Sequence, residues 1–108
     1  MSAFIPGQRW ISESEPELGL GVVVSVDGVR VKVEFRSAGE TRLYAKDQAP
    51  LKRVRFRAGD KIQTKADEEF VIKEVTERHG LLIYMGENQQ LPEAGVSDRV
   101  SLQGPQER

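Results

Sequence analysis

Leu20-Gly21-Val22-Val23-Val24-Ser25-Val26-Asp27-Gly28-Val29-Arg30-Val31-Lys32-Val33-Glu34-Phe35 reads as a strand, a turn and a returning strand. Side chains in a strand alternate between its two faces, so apolar residues at every second position mark a half-buried strand. In the first arm Leu20, Val22, Val24 and Val26 alternate with Gly21, Val23 and Ser25. In the second, Val29, Val31, Val33 and Phe35 share one face and Arg30, Lys32 and Glu34 the other. Asp27-Gly28 between them tolerates positive φ, which predicts a type I′ hairpin turn.

Turns and further short strands follow on both sides. Ser37-Ala38-Gly39 predicts a turn, Glu40 to Ala45 a strand with Leu43 and Ala45 on one face, and Pro50 a turn before a strand over Leu51 to Phe56. Further on, Phe70 to Val75 and Leu81 to Met85 predict a second hairpin across the loop Thr76-Glu77-Arg78-His79-Gly80. No segment carries apolar residues at helical spacing for three turns. Ser12-Glu13-Ser14-Glu15 imitates a capping box, but Pro16, Gly19 and Gly21 interrupt any helix behind it, so an acidic loop is expected.

The two hairpins sit in an internal repeat. Phe4-Ile5-Pro6-Gly7-Gln8-Arg9-Trp10-Ile11-Ser12 aligns with Phe56-Arg57-Ala58-Gly59-Asp60-Lys61-Ile62-Gln63-Thr64, and Gly28 and Gly80 keep the same offset. Two units at this offset of 52 account for 104 of the 108 residues. About five short strands joined by tight turns bury one face best as a strongly bent antiparallel sheet. The expectation is therefore all-β: two tandem small SH3-like barrels, over residues 1–54 and 55–108, the second ending in a polar tail. Each core is small, so packing of one barrel against the other should add stability.

Composition removes several function classes. There is no Cys, hence no thiolate ligand or nucleophile. The one histidine, His79, lies in a predicted hairpin loop without a nucleophile or base at a suggestive spacing, and no glycine-rich phosphate loop is present. Asp67-Glu68-Glu69 reads as a solvated turn rather than a metal site. No catalytic residue, metal or cofactor is expected in this chain. Met1 to Ile11 lacks the basic start and apolar run of a leader, no stretch approaches a membrane span, and Gly104 to Arg108 reads as a linker or frayed end.

Charge is more informative by position than in total. The net charge is -1, yet residues 1–50 carry -1, residues 51–65 carry +5 and residues 66–108 carry -5. Within this belt, a strand would project Arg53, Arg55 and Arg57 from one face and turn Val54 and Phe56 to the core, with Lys52, Lys61 and Lys65 nearby. Such a stripe suits phosphates or an acidic protein surface, because guanidinium groups pair with either. The competing expectation is a solvated face paired with the acidic second unit. Most aromatics should be core; Trp10 and Tyr44 are candidate exposed contacts.

Gly7-Gln8-Arg9-Trp10-Ile11-Ser12, Glu17-Leu18-Gly19-Leu20-Gly21, Gly39-Glu40-Thr41-Arg42-Leu43-Tyr44-Ala45 and Pro50-Leu51-Lys52-Arg53-Val54-Arg55-Phe56 with Gly59-Asp60 resemble, in this order, the start of the RapA-like family of bacterial RNA polymerase-associated proteins. These are long SWI/SNF-type ATPases whose N-terminal region is similar to two Tudor-like or KOW-like barrels. The resemblance implies a cytoplasmic adaptor that contacts core RNA polymerase and restrains the parent's ATPase region, with DNA or RNA as a further partner and no membrane or small-molecule substrate. No ATPase motif occurs here, so ATP and Mg are expected only for the missing part of such a parent, and no family catalytic residue carries over.

Overall fold

The computed structural model describes residues 4–98; the polar end at 104–108 lies outside them. The chain is built of short antiparallel strands. The first unit comprises β1 (Arg9–Ser12), a 3-10 turn (Pro16–Leu18), β2 (Gly21–Val26), β3 (Arg30–Phe35), β4 (Glu40–Ala45) and β5 (Leu51–Arg53). They form one curled sheet in the order β4-β3-β2-β1-β5. The second comprises β6 (Lys61–Gln63), β7 (Glu69–Val71), β8 (Glu74–Arg78), β9 (Leu81–Met85), β10 (Gln90–Pro92) and a 3-10 turn (Glu93–Gly95). Here β10-β9-β8 and β6-β7 pair separately, and a bridge between Thr64 and Val96 returns the chain to the end of β6. That bridge stands where β5 pairs with β1 in the first unit.

The sequence repeat is a repeated piece of backbone. Gly7 and Gly59 both take positive φ, at 101° and 97°. In the first turn the Gln8 amide donates to the Ile5 carbonyl (3.1 Å) and the Gln8 side chain accepts from the Ile5 amide (3.1 Å). In the second, the Asp60 amide donates to the Arg57 carbonyl (3.0 Å) and its carboxylate accepts from the Arg57 amide (2.9 Å). Each glycine then donates to a carbonyl, Gly7 to Val23 in β2 (2.9 Å) and Gly59 to Ile72 just after β7 (2.7 Å). A polar side chain after the glycine thus closes the turn, and a large apolar residue two further on enters the core: Trp10 in one barrel, Ile62 in the other.

Several local expectations change. Neither Asp27 nor Gly28 has positive φ. The Asp27 carboxylate instead accepts from the amides of Val29 (2.9 Å) and Arg30 (2.7 Å), a side-chain-closed turn. Val29 belongs to that turn and is 66% exposed, so β3 starts at Arg30. The two-residue turn with positive φ at both positions occurs in the second unit, at His79 (55°) and Gly80 (85°). Glu74–Arg78 pairs with Leu81–Met85 there, so the expected five-residue loop is mostly strand, while Phe70 and Val71 pair with β6.

Alternation also fails in β2. A bulge lies between Val23 and Ser25, leaving Val24 exposed and bringing Val23 rather than Val24 into the core. In β4, Leu43 and Ala45 do share a face, but it is the outer one; Arg42 and Tyr44 lie inward.

Two buried clusters result. Trp10, Leu18, Val23, Val31, Val33 and Phe35 fill the first barrel, with Phe4 and Leu51 packed on them. Phe56, Ile62, Phe70, Ile72, Leu82, Tyr84 and Val96 fill the second, and Leu20 and Val54 join them. Leu20, immediately before β2, thus reaches from the first unit into the other core. β1 is buried on nearly every residue because one face covers its own core and the other meets the second barrel.

Candidate binding surface and the junction between the barrels

Placement of the basic belt follows from where β5 ends. The strand stops at Arg53, after which Val54 and Phe56 turn into the second core as expected, while Arg55 and Arg57 are exposed. Arg53 is a correction to the exposed stripe. Its guanidinium reaches Glu93 through Nη1 (2.5 Å) and Nη2 (2.7 Å), donates to the carbonyls of Arg9 (3.1 Å) and Gly80 (3.3 Å), and stands 5.7 Å from the Trp10 ring centre. It turns inward because a buried carboxylate lies there to be paired. Lys52 is exposed on β5, Lys61 meets Glu69 across the β6-β7 pair at 3.6 Å, and Lys65 lies in the turn after β6. The belt is therefore not one uniform track: Arg53 faces inward and Lys61 is paired, while Lys52, Arg55, Arg57 and Lys65 are exposed.

Trp10, expected as a candidate exposed contact, is 6% exposed. It packs on Phe4 with ring centres 4.7 Å apart, and its indole N–H donates to Gln8 (3.1 Å). Bulk and this buried partner both favour the core. Tyr44 is half-buried at the edge of the same core, and burial raises its phenol above the ordinary pKa. Trp10 is thus a core residue rather than an exposed contact.

A polar centre that the alternation pattern does not mark lies between the barrels. Arg9 and Glu93 are both 1% exposed. From Arg9, Nε donates to the Glu93 carbonyl (2.9 Å), Nη1 to Asp98 (2.7 Å), and Nη2 to the carbonyls of Ala94 (3.2 Å) and Val96. The Glu93 carboxylate accepts from the Arg9 amide (3.0 Å), the Leu82 amide (2.6 Å) and Arg53. Gln8 adds a bond from Nε2 to the Gly80 carbonyl (2.8 Å). Residues 8, 9 and 53 come from the first barrel and 80, 82, 93, 94, 96 and 98 from the second. Such a network fixes one mutual arrangement, since a displaced charge would be left buried and unpaired. The one signal in the sequence was Arg9 at the cation position of the repeat; its counterpart Lys61 is exposed.

Two fused five-stranded units with a charged rivet between them present surfaces for contact. Residues 4–54 match the model of the RapA N-terminal Tudor-like domain 1, and residues 56–108 that of the RapA N-terminal Tudor-like domain. The chain belongs to the RapA N-terminal Tudor-like family. Proteins named RNA polymerase-associated protein RapA from Actinobacillus pleuropneumoniae serotype 5b (strain L20), serotype 3 (strain JL03) and serotype 7 (strain AP76) are each 43% identical to it over 111 residues. The aligned region is 97% of this chain and 12% of each relative, so the chain spans about one-eighth of their length. Both RapA matches are to Tudor-like domains, and this chain contains no catalytic domain. Among the described residues, no helix is long and apolar enough to cross a membrane.

Proposed function

We propose that this tandem barrel is the non-catalytic docking module of a RapA-type SWI/SNF ATPase, one that contacts core RNA polymerase and restrains the ATPase region of its parent. The observation that carries the reading is similarity over nearly the whole chain to proteins named for association with RNA polymerase. The riveted junction supports it, because a rigid pair of barrels presents a wide surface without an ordering cost on binding. Immobilised chain should retain core polymerase at low salt; absence of retention overturns the reading.

Lys52, Arg55 and Arg57 are exposed and keep a second reading in view, a nucleic-acid contact. Against a phosphate track stand the inward turn of Arg53 and the pairing of Lys61 with Glu69. Single-stranded and duplex titrations over a range of salt separate the two readings, since affinity from phosphate contacts falls steeply as salt rises.

A further inference from the structure

The β3-β4 turn of the first barrel and the β6-β7 turn of the second border a cleft of about 420 Å³ lined by Arg36, Ser37, Lys65, Asp67, Ser97 and Asp98. Its charges are unevenly used. Asp98 is engaged by Arg9 at 2.7 Å. Arg36 commits only Nε, to Glu34 at 2.9 Å, and among the described residues neither its terminal nitrogens nor the Lys65 ammonium makes a hydrogen bond or ion pair. Burial lowers the Lys65 pKa, and the nearby Arg36 charge pushes it the same way, as does Arg9, while Asp98 and Glu34 oppose them. Two cations from different barrels are thus held near one another around an open space.

We propose that this cleft binds a phosphate group between the Arg36 guanidinium and the Lys65 ammonium. A phosphate dianion matches two cations, where a single carboxylate would match one, and the fork of Arg36 offers it paired donors. The cleft has room for more than an inorganic ion, which favours a phosphate monoester of mononucleotide size as the ligand class. Asp67 supplies an acceptor for a hydroxyl or amino group on that body. The site does not depend on polymerase docking, because it lies between the barrels of this chain alone.

The test is a titration of the 108-residue chain, at fixed ionic strength, with inorganic phosphate, a ribonucleoside 5′-monophosphate and a short oligoribonucleotide without terminal phosphate, followed by amide NMR shifts at Ser37 and Lys65. Saturable shifts are expected, with the monophosphate the tightest ligand. Arg36→Gln and Lys65→Gln should each weaken it about tenfold, the loss of one charge-assisted contact, and Arg57→Gln should leave it unchanged. Tightest binding by the oligoribonucleotide, lost in the same two variants, would keep the phosphate site and make a diester backbone its source. Absence of saturation by all three ligands, or equal binding in Arg36→Gln and Lys65→Gln, overturns the proposal; so does an equal loss in Arg57→Gln, which would mark diffuse charge.

Discussion

Glu93 holds its carboxylate at 1% exposure because four donors reach it: the amides of Arg9 and Leu82 and both terminal nitrogens of Arg53. Removing its charge leaves the half-buried Arg53 without its counter-ion, whereas Arg9 keeps Asp98. Glu93→Gln should cost about 3–5 kcal/mol, the usual consequence of breaking a buried pair from one side, as read from urea unfolding. Asp27 acts at the surface. Its carboxylate accepts from the amides of Arg30 and Val29, which hold its pKa below the usual value. A lowered native pKa gives stability that is present above the unfolded value, about 3.9, and lost as pH falls through the native one. The stability gap between the protein and Asp27→Ala should therefore narrow progressively in acid, and a gap unchanged by pH would exclude the charged turn as its cause.

Two hairpins show how a turn decides what a strand can be. His79-Gly80 holds two positive φ values, and a side chain at Gly80 would bring its Cβ 2.2 Å from Ile5 Cδ1. Gly28 has open space around it and no positive φ. Gly80→Ala should thus destabilise by about 1–3 kcal/mol, whereas Gly28→Ala should stay within about 0.5 kcal/mol of the parent; denaturation midpoints check both. The barrel class, the repeat and the β2-β3 hairpin were legible in alternation and turn residues. β8 was not, because Glu74, Thr76, Glu77 and Arg78 are all exposed and only Val75 marks an inner face. Nor was the Arg9–Glu93 centre: a strand buried on both faces breaks the alternation rule, and a lone glutamate after Pro92 looks like any surface acid.

At the scale of the molecule, Leu20 and Val54 place first-unit residues in the second core, and Glu93 ties both barrels together. Unfolding should be a single transition: Trp10 fluorescence and amide signals from β9 should lose native character at the same urea concentration, and separated midpoints would refute the coupling. Alkaline pH should bring that transition nearer. Tyr84 is buried, and desolvation raises its phenol pKa, opposed by the Phe56 amide bonded to its oxygen. A raised native value means its contribution is full below the unfolded pKa of about 10 and is lost as pH climbs through the native one. Tyrosinate absorbance should accordingly rise with loss of fold.

The repeated turn also makes the contact between the two barrels one-way. In the first turn the cation, Arg9, is a plug seated in the neighbouring barrel; in the second, Lys61 at the same place has a side chain 69% exposed and a surface glutamate beside it. The second barrel receives a plug and sends none out from its own turn, so the contact between the two has a direction and the two copies are not interchangeable.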